Sequence, residues 1–162
     1  MHTTRPATQS DAAACLSIYA PCVESTTESF ETVVPTLDEF AARIEKVQAG
    51  WCWLVAENDG EILGYAYGSV HRERPAYQWS TEVSAYVNPA FRRQGVATAL
   101  YAKLLSRLAE LDYHQAFAGI ALPNVNSIAM HKSLGFTDIG VFKSVGRKFN
   151  AWHDVAWLQR TL

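Results

Sequence analysis

Between Ser80 and Leu111 the hydrophobic pattern changes from a strand period to a helical one across a single short basic turn. Val83, Ala85 and Val87 alternate with Glu82, Ser84 and Tyr86, as in a strand with two distinct faces. Asn88-Pro89 stops it, because Pro donates no hydrogen bond and restricts the residue before it. From Val96 onward Leu100, Leu104, Leu108 and Leu111 form one nearly continuous apolar stripe of a helix. The intervening Arg92-Arg93-Gln94-Gly95 therefore sits where a helix begins, with unpartnered backbone N–H groups and the positive end of the helix dipole directed at it. Such a junction suits an anionic ligand. The blander alternative is a solvated turn whose Gly only permits close packing. The turn lacks the Lys-Ser/Thr ending of a P-loop and is not GxGxxG, which disfavours nucleoside triphosphates and dinucleotides.

The remaining elements follow from similar signals. Thr3 to Ala7 reads as a short strand, and Ser10-Asp11 offers a cap for a helix carrying Cys15, Ile18, Tyr19 and Cys22. Glu24 to Glu31 has no period and reads as a loop. Thr36-Leu37-Asp38-Glu39 has the form of a capping box, opening a helix with Phe40, Ala41, Ile44 and Val47 on one stripe and Gly50 at its end. Trp51–Glu57 and Glu61–His71 flank Asn58-Asp59-Gly60 as an antiparallel hairpin. His114–Leu122 reads as a strand, and Asn124 to Ser127 caps a short helix closed by Gly135. Phe136–Val145 and Trp152–Leu158 are two further strands around a turn at Gly146–Ala151. The sum is one α/β domain over residues 1–162, a mixed sheet with helices on its faces.

Its 162 residues suffice for a real core, and 49% hydrophobic against 19% charged residues is a globular balance. A formal net charge of −2, with no basic run, argues against nucleic acid as a partner. Cys15, Cys22 and Cys52 have no metal-type spacing. A seven-residue offset on one helix holds Cys15 and Cys22 roughly 10 Å apart along the axis, too far for a disulfide. All three are expected to be reduced and buried, and no metal is expected. No signal-type or membrane-spanning apolar run is present, so a cytoplasmic protein with no membrane partner is expected.

Arg92-Arg93-Gln94-Gly95-Val96-Ala97, together with Asn124 to Ser127 and the later His131-Lys132-Ser133-Leu134-Gly135-Phe136, resembles the GNAT superfamily of acyl-CoA-dependent N-acetyltransferases. More narrowly, Ser29-Phe30-Glu31, Arg72 to Tyr77, Glu82, Leu134-Gly135-Phe136, Val145 to Lys148 and Trp152 to Val155 resemble the phosphinothricin and methionine sulfoximine N-acetyltransferases, in that order along nearly the whole chain. The resemblance implies a GNAT-like, mainly antiparallel central sheet with helices on both faces, acetyl-CoA as cosubstrate and a homodimer. It implies that the coenzyme A pyrophosphate lies on Arg92, Arg93, Gln94, Gly95, Val96, Ala97 and Thr98. Ala85, Tyr86 and Val87 of the strand would flank the acyl arm, with a backbone N–H near Val87 as oxyanion donor. Asn124 and Ser133 would reach the pantetheine or thiol end.

Acetyl transfer needs a neutral amine, so a base is chemically necessary. The resemblance assigns that role to Glu82; on the residues alone it reads equally as a surface or salt-bridged carboxylate. His131 stands where many GNAT enzymes carry a proton-donating Tyr, and otherwise reads as a satisfied core histidine. Arg72, Arg74 and Tyr77 would receive the carboxylate of an amino-acid-like acceptor, with Phe30 and Glu31 closing the other side; the alternative is a merely solvated loop. The expected activity is acetylation of the α-amino group of a phosphinothricin, methionine sulfoximine or methionine sulfone type of small molecule. Acetylation of a protein N-terminus or polyamine, and a non-catalytic acyl-CoA sensor, remain the alternatives.

Overall fold

The computed structural model describes residues 2–162. One seven-stranded sheet runs through the molecule in the order β1-β2-β3-β4-β5-β7-β6. Its strands are β1 (Thr3–Pro6), β2 (Trp53–Asn58), β3 (Glu61–Val70), β4 (Ser80–Val87), β5 (Gln115–Ala121), β6 (Thr137–Lys148) and β7 (Ala151–Thr161). All neighbours are antiparallel except β4 and β5. A parallel pair needs a crossover, and α3 (Val96–Glu110) supplies it. The other helices are α1 (Ala12–Ser25), α2 (Leu37–Gly50) and α4 (Val125–Ser133). Among the described residues no helix is long and apolar enough to cross a membrane.

Strand alternation divides the core into two layers. Leu54, Ala56, Leu63, Ala66 and Val83 pack under Leu100, Leu104, Leu105 and Leu108 of α3. Trp53, Val55 and Tyr65 face the other way, onto Ile18, Tyr19, Phe40 and Ile44 of α1 and α2. Helices thus cover both faces, as expected. All three cysteines are free and buried. Burial pushes the Cys15 and Cys22 thiols up to about 12, so neither is a thiolate at neutral pH.

The capping box at Thr36 forms, with Glu39 Oε2 accepting from Thr36 N at 2.7 Å and Thr36 Oγ1 from Glu39 N at 3.2 Å. Three sequence expectations are corrected. Asp11 stands at the N-cap of α1 as expected, but its carboxylate does not cap that helix: it accepts from Thr8 N (2.8 Å) at the start of the 3-10 turn Gln9–Asp11 and is clasped by Arg5. Leu111 lies beyond the last turn of α3 and is exposed rather than part of the stripe. The last hairpin turns at Phe149-Asn150, not across Gly146–Ala151. Both turn residues have positive φ (52° and 57°), the two-residue geometry that suits the sheet's twist, so β6 runs on through Gly146 to Lys148. Leu104, wholly buried at the centre of the α3 layer, sets the stability of that half. Leu104→Ala is expected to cost about 3 kcal/mol in urea unfolding.

Candidate active site

β4 and β5 pair only at Ser80–Glu82 and Gln115–Phe117, then diverge. The fork opens a cavity of about 520 Å³ between β4, β5, the first turn of α3 and α4. Backbone groups of a strand alternate sides. Asn88 N donates to Leu63 O on β3 at 2.9 Å, so the N–H and C=O groups of Ala85 and Val87 point away from β3, into the fork where β5 has withdrawn. They are polar groups without a sheet partner, available to a ligand.

At the cavity mouth Gly95 caps α3 with φ +79°, a left-handed conformation that side chains strain to adopt. Among the described residues no side chain caps this end. The N–H groups of Val96, Ala97 and Thr98 therefore keep their anion-binding capacity, with Arg92 and Arg93 beside them on the cavity wall. Arg92 also reaches Glu28 of the segment between α1 and α2 at 3.1 Å. Ala85, Tyr86, Val87, Arg92, Arg93, Gly95, Val96, Ala97, Thr98 and Asn124 all border the cavity. Gln94 and Ser133 do not. The Gln94 amide donates to Ala90 O within its own turn (3.3 Å). Ser133 stands two residues from the inward-facing His131, some 200° around the helix, and its hydroxyl donates to Met130 O (2.7 Å).

His131 is 3% exposed and its ring borders the cavity. Its Nδ1 lies 2.7 Å from Ser127 O, an acceptor only, so Nδ1 carries the proton. Burial lowers its pKa despite that bond, leaving the ring neutral at pH 7 with Nε2 an acceptor. The partner is the Tyr101 hydroxyl at 3.2 Å, also on the cavity wall. Sequence reasoning passed over Tyr101 because it stands beside the leucine stripe and repeats no motif.

Glu82 is the last β4 residue paired to β5, opposite Phe117, and so lies at the vertex of the fork. Its side chain is about one-third exposed. Burial pushes its carboxyl above the ordinary carboxylate range, opposed by a hydrogen bond and charge from His71 and by the charge of Arg72. His71 Nδ1 is 3.0 Å from Glu82 Oε2. The sequence reading ended a strand at His71 and gave it no role; only the β3–β4 register reveals that it meets Glu82.

The expected acceptor residues fall into two groups. Arg72 lies over the Tyr77 ring (5.7 Å), whose edge meets the His71 ring. Among the described residues neither Arg72 nor Arg74 is in an ion pair, so this group presents free cations and an aromatic face beside Glu82. Glu31, in contrast, is already engaged: Arg43 holds it through two bonds (2.9 and 2.5 Å) and the Tyr19 hydroxyl donates to it. It braces the segment between α1 and α2 rather than offering a free carboxylate. Phe30 lies on Gly146, where an added Cβ would fall 2.2 Å from the ring. Lys148, 5% exposed, donates to Ser29 O at 2.7 Å. The tip of the last hairpin thus clamps Ser29 and Phe30 in place.

Known proteins agree with this architecture. A family model described as an acetyltransferase (GNAT) domain matches residues 4–157. The chain is 41% identical over 162 residues to a phosphinothricin N-acetyltransferase of Alcaligenes faecalis, covering 99% of this chain and 82% of that one. It is 33% identical over 161 residues to an L-methionine sulfoximine/L-methionine sulfone acetyltransferase of Salmonella typhimurium, covering 99% and 94%. A GNAT superfamily phosphinothricin acetyltransferase from Sinorhizobium meliloti, solved in complex with acetyl-CoA, superposes with a TM-score of 0.95 at 34% identity, covering 99% of this chain and 88% of that one.

The Phe30–Gly146 contact can be tested without a substrate. Gly146→Ala is expected to destabilise the fold by about 1–3 kcal/mol through overpacking. Phe30→Ala in the same chain should restore most of that loss, a coupling read from a double-mutant cycle in urea. Additive effects would mean the ring does not depend on the glycine.

Proposed function

This chain belongs to the GNAT acetyltransferase family, and from that premise we propose that it moves an acetyl group from acetyl-CoA to the α-amino group of a small amino-acid analogue of the phosphinothricin or methionine sulfoximine type. The observation carrying the reading is the half-buried Glu82 carboxylate at the vertex of the fork, between the cofactor-sized cavity and the Arg72–Tyr77 cluster. The cavity fits the cosubstrate on three counts: free N–H groups at the start of α3, unpaired strand groups at Ala85 and Val87, and two arginines at the mouth.

Bound acetyl-CoA supplies an activated acetyl thioester. The N-terminus of α3, with Arg92 and Arg93, holds the pyrophosphate charge; the edge of β4 takes the place of a neighbouring strand for the amide-bearing arm. The N–H of Val87 or Ala85 meets the carbonyl oxygen as negative charge develops there. Glu82 removes a proton from the acceptor's ammonium, making the nitrogen nucleophilic. A carboxylate raised by burial is better matched to this task than one in water. Arg72 and Arg74 receive the acceptor's carboxylate.

Neutral His131 has no proton to give from Nε2, so its part in the departure of sulfur runs through Tyr101. The Tyr101 hydroxyl, raised by burial, is a poor acid with a single proton; that proton rests on His131 Nε2, which holds the hydroxyl on the cavity wall, and it swings to the thiolate as a hydrogen bond when the sulfur departs. The exposed edge strand β6, with Ile139, Phe142 and Val145, and the adjoining Phe149 and Trp152 form an apolar surface that supports a homodimer.

Release of free thiol from acetyl-CoA, measured across amino-acid analogues, polyamines and peptides, tests the activity; turnover confined to peptides or polyamines overturns the acceptor class. Glu82→Gln is expected to lower kcat by about 10²–10⁴ while the KM for acetyl-CoA holds. Because the base must be ionised, activity should fall as pH drops through the raised Glu82 pKa. Gly95→Val should instead raise the acetyl-CoA KM, since valine resists φ +79°. Tyr101→Phe and His131→Asn should each lower kcat with KM retained; lost thermal stability at unchanged kcat would make that pair structural.

A further inference from the structure

The register of β3 on β4 sets Ser69 opposite Glu82. Alternation returns to the same face two residues later, at His71, just past the end of β3. The His71 ring is held on both sides. It stacks on Phe117 with centroids 4.3 Å apart and planes 11° from parallel, and it meets the edge of Tyr77 at 5.9 Å. Phe117 is the very residue that pairs with Glu82 across the fork. Ring and carboxylate are therefore fixed by the same cross-strand pair. The His71 side chain is 14% exposed, so the 3.0 Å contact from Nδ1 to Glu82 Oε2 is shielded from water. An ionised carboxylate has no proton to donate, so Nδ1–H is the donor.

Among the described residues no other side chain hydrogen-bonds to the Glu82 carboxylate. Arg72 adds only its charge from the adjoining loop. Tyr67 on β3, opposite Ser84, is within reach of the charges of Glu82, Arg43 and Glu31, and the last two are paired with each other at 2.5 Å. Burial, meanwhile, works against the ionised form that a base requires.

We propose that His71 is a positioning residue of the reaction: its Nδ1–H fixes one oxygen of Glu82 and maintains the carboxylate in its ionised form, leaving the second oxygen free to take the proton of the acceptor's ammonium. This rests on Glu82 being the base. The proton passes from nitrogen to Glu82, and His71 keeps its own.

The test compares His71→Phe, which preserves the stack on Phe117 but has no donor, with His71→Gln, which restores an N–H donor. His71→Phe is expected to lower kcat about tenfold near neutral pH and to move the acid limb of the kcat/KM profile to higher pH. The loss should shrink in alkali, and the KM for acetyl-CoA should not change. His71→Gln should recover most of the rate and return the limb towards the wild-type position. An unmoved limb in His71→Phe, or a pH-independent loss that glutamine does not relieve, overturns the proposal. Glu82→Gln, assayed alongside, separates the two readings. If it retains full turnover, the base assignment falls; if it is inactive while the His71→Phe limb stays in place, the base stands and the role of His71 falls. Should His71→Phe not fold, the limb is read on His71→Asn, whose shorter side chain withdraws the donor: a shift supports the proposal and its absence overturns it.

Discussion

Three residue pairs hold β4 to β5, from Ser80–Gln115 to Glu82–Phe117, and beyond them the strands separate. An open sheet normally satisfies its interior strands on both edges, since buried backbone N–H and C=O groups without partners are costly. Here the parted strands leave their unpaired groups facing an open cavity. Ala85 and Val87 keep backbone groups aimed into it, α3 starts at one rim, and α4 covers another. The fork is stable without β4's help because β5 pairs along seven residues with β7, Gln115–Thr161 through Ala121–Val155. The C-terminal hairpin is thus what allows the middle of the sheet to open.

The same split decides the electrostatics. Glu82 sits where pairing ends, at the vertex of the fork and close enough to the interior for burial to raise its pKa. Two positions earlier it would be at the start of the strand, at the mouth of the polar loop; two later, Ser84 stands in the open fork. His131 shows the opposite outcome of burial. Its two nitrogens are both committed, one donating to Ser127 O and one accepting from Tyr101, so its neutral state is fixed by geometry as well as by desolvation.

Most of the fold was legible in the sequence because the elements announce themselves by period and punctuation: Thr36 and Glu39 at a helix start, Asp59-Gly60 at a hairpin, the leucine stripe of α3. The turn before α3 was legible too, since Gly95 marks its backbone geometry. What stayed hidden were contacts that only register creates. Nothing local in Val70-His71-Arg72 shows that His71 reaches Glu82. Gly146 looked like a turn residue because glycine usually marks one, whereas its actual use is to leave room for the Phe30 ring. Phe149-Asn150, carrying no glycine, gave little sign of a tight turn. The tie of Glu31 to Arg43 was hidden as well, since the two lie twelve residues apart on different elements.

The division of labour between the two ends of the chain follows from these contacts. The segment between α1 and α2 has little regular structure of its own, and a polar loop of that kind is ordinarily mobile. Three ties restrain it. Glu31 is bound to Arg43 and Tyr19, Phe30 lies on Gly146, and Lys148 spans to Ser29 O and towards Cys22 O at the end of α1. Lys148 is buried where its ammonium finds carbonyl oxygens in place of water, and burial lowers its pKa accordingly. Such a buried cation is tolerated only when those acceptors stay in place, so the lysine and the segment order each other. The strand that lies at the far edge of the sheet therefore sets the position of Ser29 and Phe30, although it contributes no residue to the cavity lining. The same segment also touches the cavity, through Glu28 and its ion pair with Arg92, so the ties at the far edge of the sheet bear on the cavity wall as well.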